Sequence, residues 1–289
     1  MASISVVVLT LNEGSLLRET VLGLRETLPP ESEILVVDDG STDGSTEFLT
    51  APDAPARLVR SQHLGTARAR NWGALQTCGE IVVFADAHIR LPEGWWQPMA
   101  ELLARPEIGA VAPMVADVTE PDCRGYGLRL GGPDLTIEWL FYRQDSPYES
   151  PLLPGCCLAF RRDTFQAVGG FDEGLIRWGG MENELGLRLW LLGYELWLVP
   201  GVECVHLFRE HRPYHVEWSW VIHNRLRLAF LHFGRPRIAR VINALHNHEG
   251  FAGGLALLAG SDVWDRRNQL ALQRVHDAEW FFEKFGPAW

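Results

Sequence analysis

Lysine is almost absent from this sequence of 289 residues. Lys284 is the only one, and arginine supplies the rest of the positive charge. The sequence therefore has no Gly-Lys-Ser/Thr phosphate-binding loop, and no amine before residue 284 that could form a Schiff base. Acidic residues also exceed basic ones, 37 to 26, for a formal net charge of −11. Proteins that bind the nucleic-acid backbone usually carry a basic surface, so we expect no nucleic-acid partner.

Long apolar runs and paired cysteines are also missing. No run approaches the ~20 residues of a membrane-spanning helix, and the N-terminus has neither the basic segment nor the cleavage site of a signal peptide. The five cysteines form no Cys-x-x-Cys pair and are odd in number, which favours free thiols over a disulfide scaffold. We therefore expect a cytoplasmic globular protein without a membrane span.

The chain alternates two kinds of hydrophobic pattern. β-Branched runs at 4–9, 34–37 and 81–85 predict buried strands, and stretches of helical period between them predict crossover helices. Residues 122–150 are rich in Gly, Pro and Tyr and predict a hairpin or flap, while the chain from residue 214 onward reads as helical. The predicted fold class is α/β, with a mostly parallel sheet and a helical C-terminal extension.

Polar side chains follow three of the predicted strands directly. The carboxyl ends of parallel strands lie at one edge of a sheet, where ligands bind in open α/β folds. This arrangement predicts a site for a metal or a sugar phosphate. The residues concerned are Thr10, Asn12 and Glu13 after the strand at 4–9, Asp38 and Asp39 after the strand at 34–37, and Asp86 and His88 after the strand at 81–85.

Segments in order along residues 3–208 resemble family 2 glycosyltransferases with the GT-A fold. They include Val6-Val7-Val8-Leu9-Thr10-Leu11-Asn12-Glu13, Val36-Val37-Asp38-Asp39-Gly40-Ser41, Phe84-Ala85-Asp86-Ala87-His88, Gly169-Gly170-Phe171-Asp172 and Leu192-Gly193-Tyr194. The stretch from Trp178-Gly179-Gly180 through the acidic helix to Trp190 is also similar to polypeptide N-acetylgalactosaminyltransferases.

The resemblance implies an organisation and an activity. A GT-A α/β/α sandwich would span 1–212, with a nucleotide-binding half at 1–116 and an acceptor-side half at 117–212, and a helical extension would follow at 213–289. The activity implied is metal-dependent transfer of a hexose or N-acetylhexosamine from a UDP-sugar. A nucleotidyltransferase and a non-catalytic sugar-nucleotide-binding protein are the alternatives.

The implied metal site departs from the Asp-x-Asp motif of GT-A families, because histidine occupies its third position. Asp86 and His88 are two residues apart in an extended segment, so their side chains face the same way. His206 stands where the resembling families place a further histidine ligand. Imidazole together with carboxylate suits Mn²⁺ better than Mg²⁺, which prefers oxygen ligands, so Mn²⁺ is expected and Mg²⁺ is the alternative.

The resemblance also assigns residues to the nucleotide sugar. Asp39 would bind the uracil base, and the end of the first strand would line the base and ribose. Arg68 is favoured over Arg70 as the arginine on the nucleotide side. The full expected set is Thr10, Asn12, Glu13, Asp38, Asp39, Arg68, Asn71, Asp86 and Trp178.

Glu182 aligns with the general base of inverting family 2 enzymes, although the usual Glu-Asp pair reads Met181-Glu182 here. Polypeptide N-acetylgalactosaminyltransferases retain configuration without such a base, so retention is the alternative. Glu184 takes the second acidic position, where an acceptor-side or a structural role is expected, and Trp178 would cover a sugar face.

The acceptor substrate is the part of the predicted function that the sequence determines least. A peptide or protein side chain is favoured, with a small glycoside or a lipid-linked acceptor as alternatives. Five arginines make residues 225–240 locally basic, which suggests peripheral contact with an anionic lipid or acceptor.

Overall fold

The computed structural model describes residues 2–120, 122–209, 213–287 and 289. The strands are β1 (Ile4–Thr10), β2 (Glu33–Asp38), β3 (Arg57–Arg60), β4 (Ile81–Asp86), β5 (Ile89–Arg90), β6 (Ile108–Asp117), β7 (Arg124–Gly125), β8 (Leu128–Leu130), β9 (Ile137–Trp139), β10 (Tyr148–Glu149), β11 (Cys157–Arg161) and β12 (Glu195–His206). The helices are α1 (Ser15–Thr27), α2 (Thr66–Leu75), α3 (Trp96–Leu103), α4 (Arg162–Ala167), α5 (Met181–Leu191), α6 (Trp218–His232), α7 (Arg235–Leu245), α8 (Phe251–Ala259), α9 (Val263–Ala271) and α10 (Ala278–Phe285).

A mostly parallel sheet runs through the middle of the structure. Its strands follow the order β10-β12-β6-β11-β4-β1-β2-β3. β3, β2, β1 and β4 pair in parallel, β11 is antiparallel to both β4 and β6, and β12 returns parallel to β6. The predicted α/β class with its helical C-terminal part is thus confirmed.

Alternate residues of the central strands point into two separate cores. Val7 on β1 packs in one core with α2 and α5, while Val6 and Val8 pack in the other with α1 and α3. Side chains on a strand alternate between faces, so a strand that is apolar at every position requires cover on both sides. This explains why the β-branched runs of the sequence form the middle layer of an α/β/α sandwich.

The stretch after residue 117 forms a small flap beside the sheet. β8 and β9 pair as an antiparallel hairpin, as the sequence predicts, and Leu128 also forms an isolated bridge with Leu152. Between β2 and β3, where a crossover helix is expected, the chain forms only a 3₁₀ turn at Glu47–Leu49. Gly44 has a φ of +78°, which no helix accommodates, and this delays the helical turn.

The C-terminal helices are joined to the sandwich by buried ion pairs. Arg227 on α6 binds Asp172 through two hydrogen bonds of 2.6 and 2.9 Å, and it also contacts Asp262. The predicted boundary falls on Arg212, which lies outside the described residues, so the division into 1–212 and 213–289 stays a prediction. No helix in the described ranges is both long and apolar enough to cross a membrane.

Glu184 on α5 is the centre of a second buried network. It is fully buried, receives hydrogen bonds of 2.9 and 2.8 Å from Arg188 on the same helix, and lies 2.9 Å from Nε2 of His232 on α6. Burial raises the pKa of this carboxyl, but the charge of Arg188 and the His232 hydrogen bond outweigh it and hold the pKa below its ordinary value. The network ties α5 to α6.

We expect Glu184→Gln to lower the free energy of unfolding at pH 7 by about 3–5 kcal/mol, because the variant leaves Arg188 as a buried charge without its counter-ion. Urea denaturation measures the difference. A carboxyl whose pKa is lowered in the folded state stabilises the folded protein at pH values above its unfolded pKa, and this stabilisation is lost as the pH falls. The difference in unfolding free energy between the wild type and Glu184→Gln should therefore become smaller below about pH 4.3, the ordinary pKa of glutamate.

Glu203→Gln is the matched control. Glu203 pairs with Arg124 at 3.1 Å on the surface, where both side chains are more than a third exposed. Exposed pairs contribute about 0–1 kcal/mol, so this variant should unfold almost like the wild type. Equal losses of unfolding free energy in Glu184→Gln and Glu203→Gln would contradict the assigned role of Glu184.

Candidate active site

A cleft of about 840 Å³ opens at the carboxyl ends of β1, β2 and β4. One wall consists of the strand ends, and the opposite wall consists of the β8–β9 hairpin and one face of α6. The loop before α5, with Trp178, closes one side. The strand order therefore brings residues that are far apart in sequence to one cavity.

Asp86, His88 and His206 meet in this cleft as predicted. Each offers one ligand atom, and the three atoms lie within 4.8 Å of one another. Nε2 of His206 is 3.5 Å from Oδ2 of Asp86, and the two imidazole rings are 4.8 Å apart. The pairing of Ile89 on β5 with His206 on β12 fixes this approach. Two imidazole nitrogens and a carboxylate form a donor set for a divalent transition metal.

Glu13 contacts His88, one of the three candidate metal ligands. Its Oε2 lies 3.1 Å from Nδ1 of His88, and Arg209 pairs with the same oxygen. Metal-binding histidines usually give their second ring nitrogen to a carboxylate, which fixes the ring and leaves the other nitrogen for the metal. The sequence predicts Glu13 beside the base and ribose, but the structure assigns its carboxylate to His88.

Arg70 connects Asp86 with Glu182. Its Nη2 donates to Oδ1 of Asp86 at 2.9 Å and to the carbonyl of Gly155 at 3.0 Å, and its Nη1 donates to Oε1 of Glu182 at 2.7 Å. Only 2% of its surface is exposed. A Cβ on Gly155 would come within 2.2 Å of Cγ of Glu182, so only glycine leaves room for the glutamate there.

Arg68, the arginine favoured from the sequence, lies outside the cleft. It is exposed, and its Nε donates to the carbonyl of Glu173 at 2.9 Å. Both arginines are on α2, but two positions along a helix turn a side chain by about 200°, so they face opposite ways. The structure therefore places Arg70 in the cleft instead.

The electrostatic environment keeps Asp86 ionised. Burial raises the pKa of its carboxyl, but His206, Arg70 and His88 together lower it to about 2. Asp86 is therefore an anion at neutral pH and needs to lose no proton to bind a cation. The residues present thus fit a divalent metal in both charge and donor type.

Asp39 occupies the floor of the cleft after β2. Its two carboxylate oxygens accept hydrogen bonds from the Ser61 hydroxyl at 2.7 Å and from the amides of Leu64 and Gly65 at 2.7 and 2.9 Å. Thr10 also lines the cleft, and its buried hydroxyl has no hydrogen-bond partner within the described ranges. Both residues are buried side chains at the ends of β1 and β2, on the strand side of the cleft.

Asn12, Asp38 and Asn71 shape the nucleotide-side loops in different ways. Asn12 lines the cleft in a left-handed conformation, with φ +56°, and accepts from the Thr42 amide at 2.8 Å. Asp38 does not line the cleft and instead accepts from the Ser41 amide at 2.7 Å. Asn71 does not line the cleft either.

Asn71 and Glu184 are predicted site residues that the structure does not bring into the cleft. Asn71 pairs with the backbone N–H and carbonyl of Phe171, both at 2.9 Å, and so fixes the turn after α4. Glu184 belongs to the buried network with Arg188 and His232. Of the two roles expected for Glu184, the structure supports the structural one.

The Trp178 loop is held in place by α6. Asn224 donates to the carbonyls of Ile176 and Gly179 at 2.9 Å each, and its own carbonyl accepts from the Ile176 amide at 2.8 Å. Gly179 and Gly180 have φ of +102° and +84°, a conformation that favours glycine. Trp178 itself lines the cleft.

The sequence predicts that the C-terminal helical extension shapes the acceptor side, but the individual α6 residues that line the cleft are not among the predicted site residues. The α6 wall contributes residues at helical spacing to the cleft, and the aromatic ring of Phe208 extends this wall. A helical pattern shows which residues share a face, but not what that face meets. The α6 lining residues are Trp220, Val221, Asn224, Arg225 and Leu228.

The basic segment 225–240 is only partly available for contact with a partner. Arg227 is fully buried in its ion pairs, and Arg237 is buried against Glu279 and the ring of Phe282. Arg235 and Arg240 are exposed.

Comparison with known proteins agrees with this geometry. The model of the family described as "Glycosyl transferase family 2" matches residues 5–169, more than half of the chain, and a model described as "N-terminal domain of galactosyltransferase" matches 140–215. N-acetylgalactosaminyltransferase 6 of Drosophila melanogaster is 26% identical over 98% of this chain and 45% of its own. Human polypeptide N-acetylgalactosaminyltransferase 10 is 32% identical over 71% of this chain and 38% of its own.

Solved structures share the fold. GalNAc-T7 with UDP, GalNAc and Mn²⁺ superposes with a TM-score of 0.81 at 20% identity, covering 98% of this chain and 56% of that one. A mannosyltransferase from Pyrobaculum calidifontis in complex with GDP-Man and Mn²⁺ gives 0.56 at 24% identity, covering 94% and 81%. This chain spans less than half the length of the two curated relatives. By the family match and the shared fold, the chain belongs to glycosyltransferase family 2 and has the GT-A architecture.

Proposed function

We propose that this chain transfers N-acetylgalactosamine, or a related hexose or N-acetylhexosamine, from a UDP-sugar to a peptide side chain with the help of Mn²⁺. The observation that carries the proposal is the meeting of Asp86, His88 and His206 in one cleft with Asp39 and the end of β1. The names of the relatives supply the sugar and the acceptor class.

Each wall of the cleft has a separate task in this proposal. Asp86, His88 and His206 would hold the metal, with Glu13 orienting His88. When bound, the metal supplies Lewis-acid stabilisation of the negative charge that develops on the leaving diphosphate. Thr10 and Asp39 would bind the nucleoside, and Trp178 would cover the sugar and exclude water.

Glu182 is the proposed base of an inverting transfer. It lies in the first turn of α5 and lines the cleft. Oε1 is held by Arg70, and Oε2 has no hydrogen bond within the described ranges, so Oε2 can accept the proton of the acceptor hydroxyl. Retention of configuration is the competing stereochemical outcome.

The two other candidate functions have less support. A nucleotidyltransferase would be expected to have a Gly-rich phosphate loop with a basic residue after β1, where this chain has residues 10–15 without a lysine. A non-catalytic binder would be favoured by the loss of a metal ligand, but the ligand triad is complete. A cytoplasmic location and peripheral contact through residues 225–240 stay predictions.

The donor is tested by hydrolysis of UDP-GalNAc, UDP-GlcNAc, UDP-Gal, GDP-Man and dTDP-Glc with Mn²⁺ and then with excess EDTA. We expect turnover of a UDP-sugar that EDTA abolishes, since the proposal assigns Asp39 to the uracil base and the metal triad to the cation that stabilises the leaving diphosphate. Product nucleotide is quantified by chromatography. Turnover of only a GDP- or dTDP-sugar, or turnover that survives EDTA, would contradict the proposal.

The metal site is tested apart from activity, by binding of Mn²⁺ alone in calorimetry or electron paramagnetic resonance. Asp86→Ala removes the only carboxylate ligand of the triad, and we expect Mn²⁺ binding to be lost. Glu13→Gln weakens the support of His88 and should lower the affinity by about 10–100-fold.

Asp53→Ala is the control for the metal experiment, because Asp53 is an exposed carboxylate outside the cleft. It should bind Mn²⁺ like the wild type. The metal assignment fails if Asp86→Ala binds Mn²⁺ as tightly as Asp53→Ala does.

Glu182→Gln keeps the size of the side chain and removes its basicity. We expect kcat to fall by about 10²–10⁴-fold, the usual contribution of a general base, with nearly unchanged UDP affinity. Glu31→Gln is the control, since Glu31 is exposed at the opposite edge of the sheet. NMR of the product decides independently: an α-linked product from an α-linked donor means retention and rejects Glu182 as the base.

A further inference from the structure

Arg225 differs from the other arginines of the cleft in its partners. Arg70 has two carboxylate partners, Arg209 pairs with Glu13, and Arg177 donates to a backbone carbonyl. Across the ranges that the structure describes, Arg225 makes no hydrogen bond or ion pair. Of the four arginines that line the cleft in the described ranges, Arg225 is the one whose guanidinium has no hydrogen-bond or ion-pair partner there.

The surroundings of Arg225 make this unpaired state costly. Arg225 is half-buried on α6, with Val221 and Leu228 next to it on the same helix face, four positions before and three after. Burial lowers the pKa of its guanidinium, and Asp134 in the turn between β8 and β9 acts against this from nearby. The amide and hydroxyl of Thr136 both donate to Oδ1 of Asp134, at 3.2 and 2.9 Å, and Asp134 forms no ion pair with Arg225 within the described ranges. A half-buried cation that forms no ion pair gains more from binding an anionic ligand than a fully solvated one does.

Arg225 shares the cleft with apolar and aromatic side chains. The β8–β9 hairpin contributes leucine, isoleucine and tryptophan to the lining, and Phe208, which follows β12, adds a further ring. Such a surface accommodates an apolar or aromatic side chain beside the anion. The lining residues are Leu130, Leu135, Ile137, Trp139 and Phe208.

We infer that Arg225 binds a carboxylate of the acceptor, and that the acceptor is an acidic peptide in which Asp or Glu lies next to an apolar residue close to the modified side chain. The guanidinium fork matches a carboxylate through two parallel hydrogen bonds. The negative charge of the donor would be met elsewhere, by the cation that Asp86, His88 and His206 are proposed to hold. This inference rests on the proposed function and specifies its acceptor.

The test compares peptide pairs that carry a single threonine and an apolar neighbour, with either Glu or Gln at one flanking position. We expect the wild type to use the best Glu peptide about 10–100-fold more efficiently in kcat/KM than its Gln partner, the range for a lost hydrogen bond to a charged group. Arg225→Gln should bring this ratio close to unity. The KM for the UDP-sugar and the rate of donor hydrolysis without acceptor should stay unchanged, which also shows that the variant is folded.

Charge reversal gives a second, independent readout. Arg225→Glu should disfavour the Glu peptide and favour a peptide with Lys at the same position, because the complementary pair is restored in the opposite sense. Arg235→Gln is the matched control, since Arg235 is an exposed arginine outside the cleft. It should keep the wild-type preference for Glu.

The experiments distinguish failure of the acceptor inference from failure of the proposed function. A wild type without preference for Glu, or an Arg225→Gln variant that keeps the preference, overturns the acceptor inference while donor hydrolysis still supports the proposed function. A raised KM for the UDP-sugar in Arg225→Gln assigns the residue to the donor and also overturns the inference. Absence of turnover with every UDP-sugar overturns the proposed function together with this inference.

Discussion

The contact of Arg70 with Asp86 and Glu182 is the interaction on which the site depends. One buried guanidinium sets the position of a metal ligand and of the proposed base, and it is itself anchored to the Gly155 carbonyl. The guanidinium binds both carboxylates at once and so holds them on the same side of the cleft.

The C-terminal helices are part of this arrangement rather than an addition to it. α6 holds the Trp178 loop through Asn224, and it holds α5, the helix of Glu182, through the His232 contact with Glu184. Arg227 joins the same helix to Asp172 just before the loop. Buried networks of this kind are costly to break, so a change on α6 would reach the cleft through backbone position as well as through direct contact.

The sequence predicts what depends on local pattern. Apolar runs predicted the strands, and the spacing of Asp86 and His88 predicted that both would face one ligand; His206 came from the family resemblance. The choice between Arg68 and Arg70 could not be made in this way, because it depends on which face of α2 packs over the sheet. Likewise, no local signal shows that the Glu13 carboxylate contacts His88. Nor does one show that Glu184 is buried against His232, which lies 48 residues further along the chain.

The near absence of lysine has a structural counterpart in these networks. Arg70 bridges two carboxylates and a carbonyl, Arg188 binds Glu184 through two nitrogens, and Arg227 contacts two different aspartates. Each task needs several donors in one rigid plane, which guanidinium provides and an ammonium group does not. An acidic chain that buries carboxylates around its active site thus depends on arginine. By the same reasoning, Arg225 is the position that we infer to bind an anionic group of a ligand, since it is half-buried and forms no ion pair with any carboxylate in the described part of the chain.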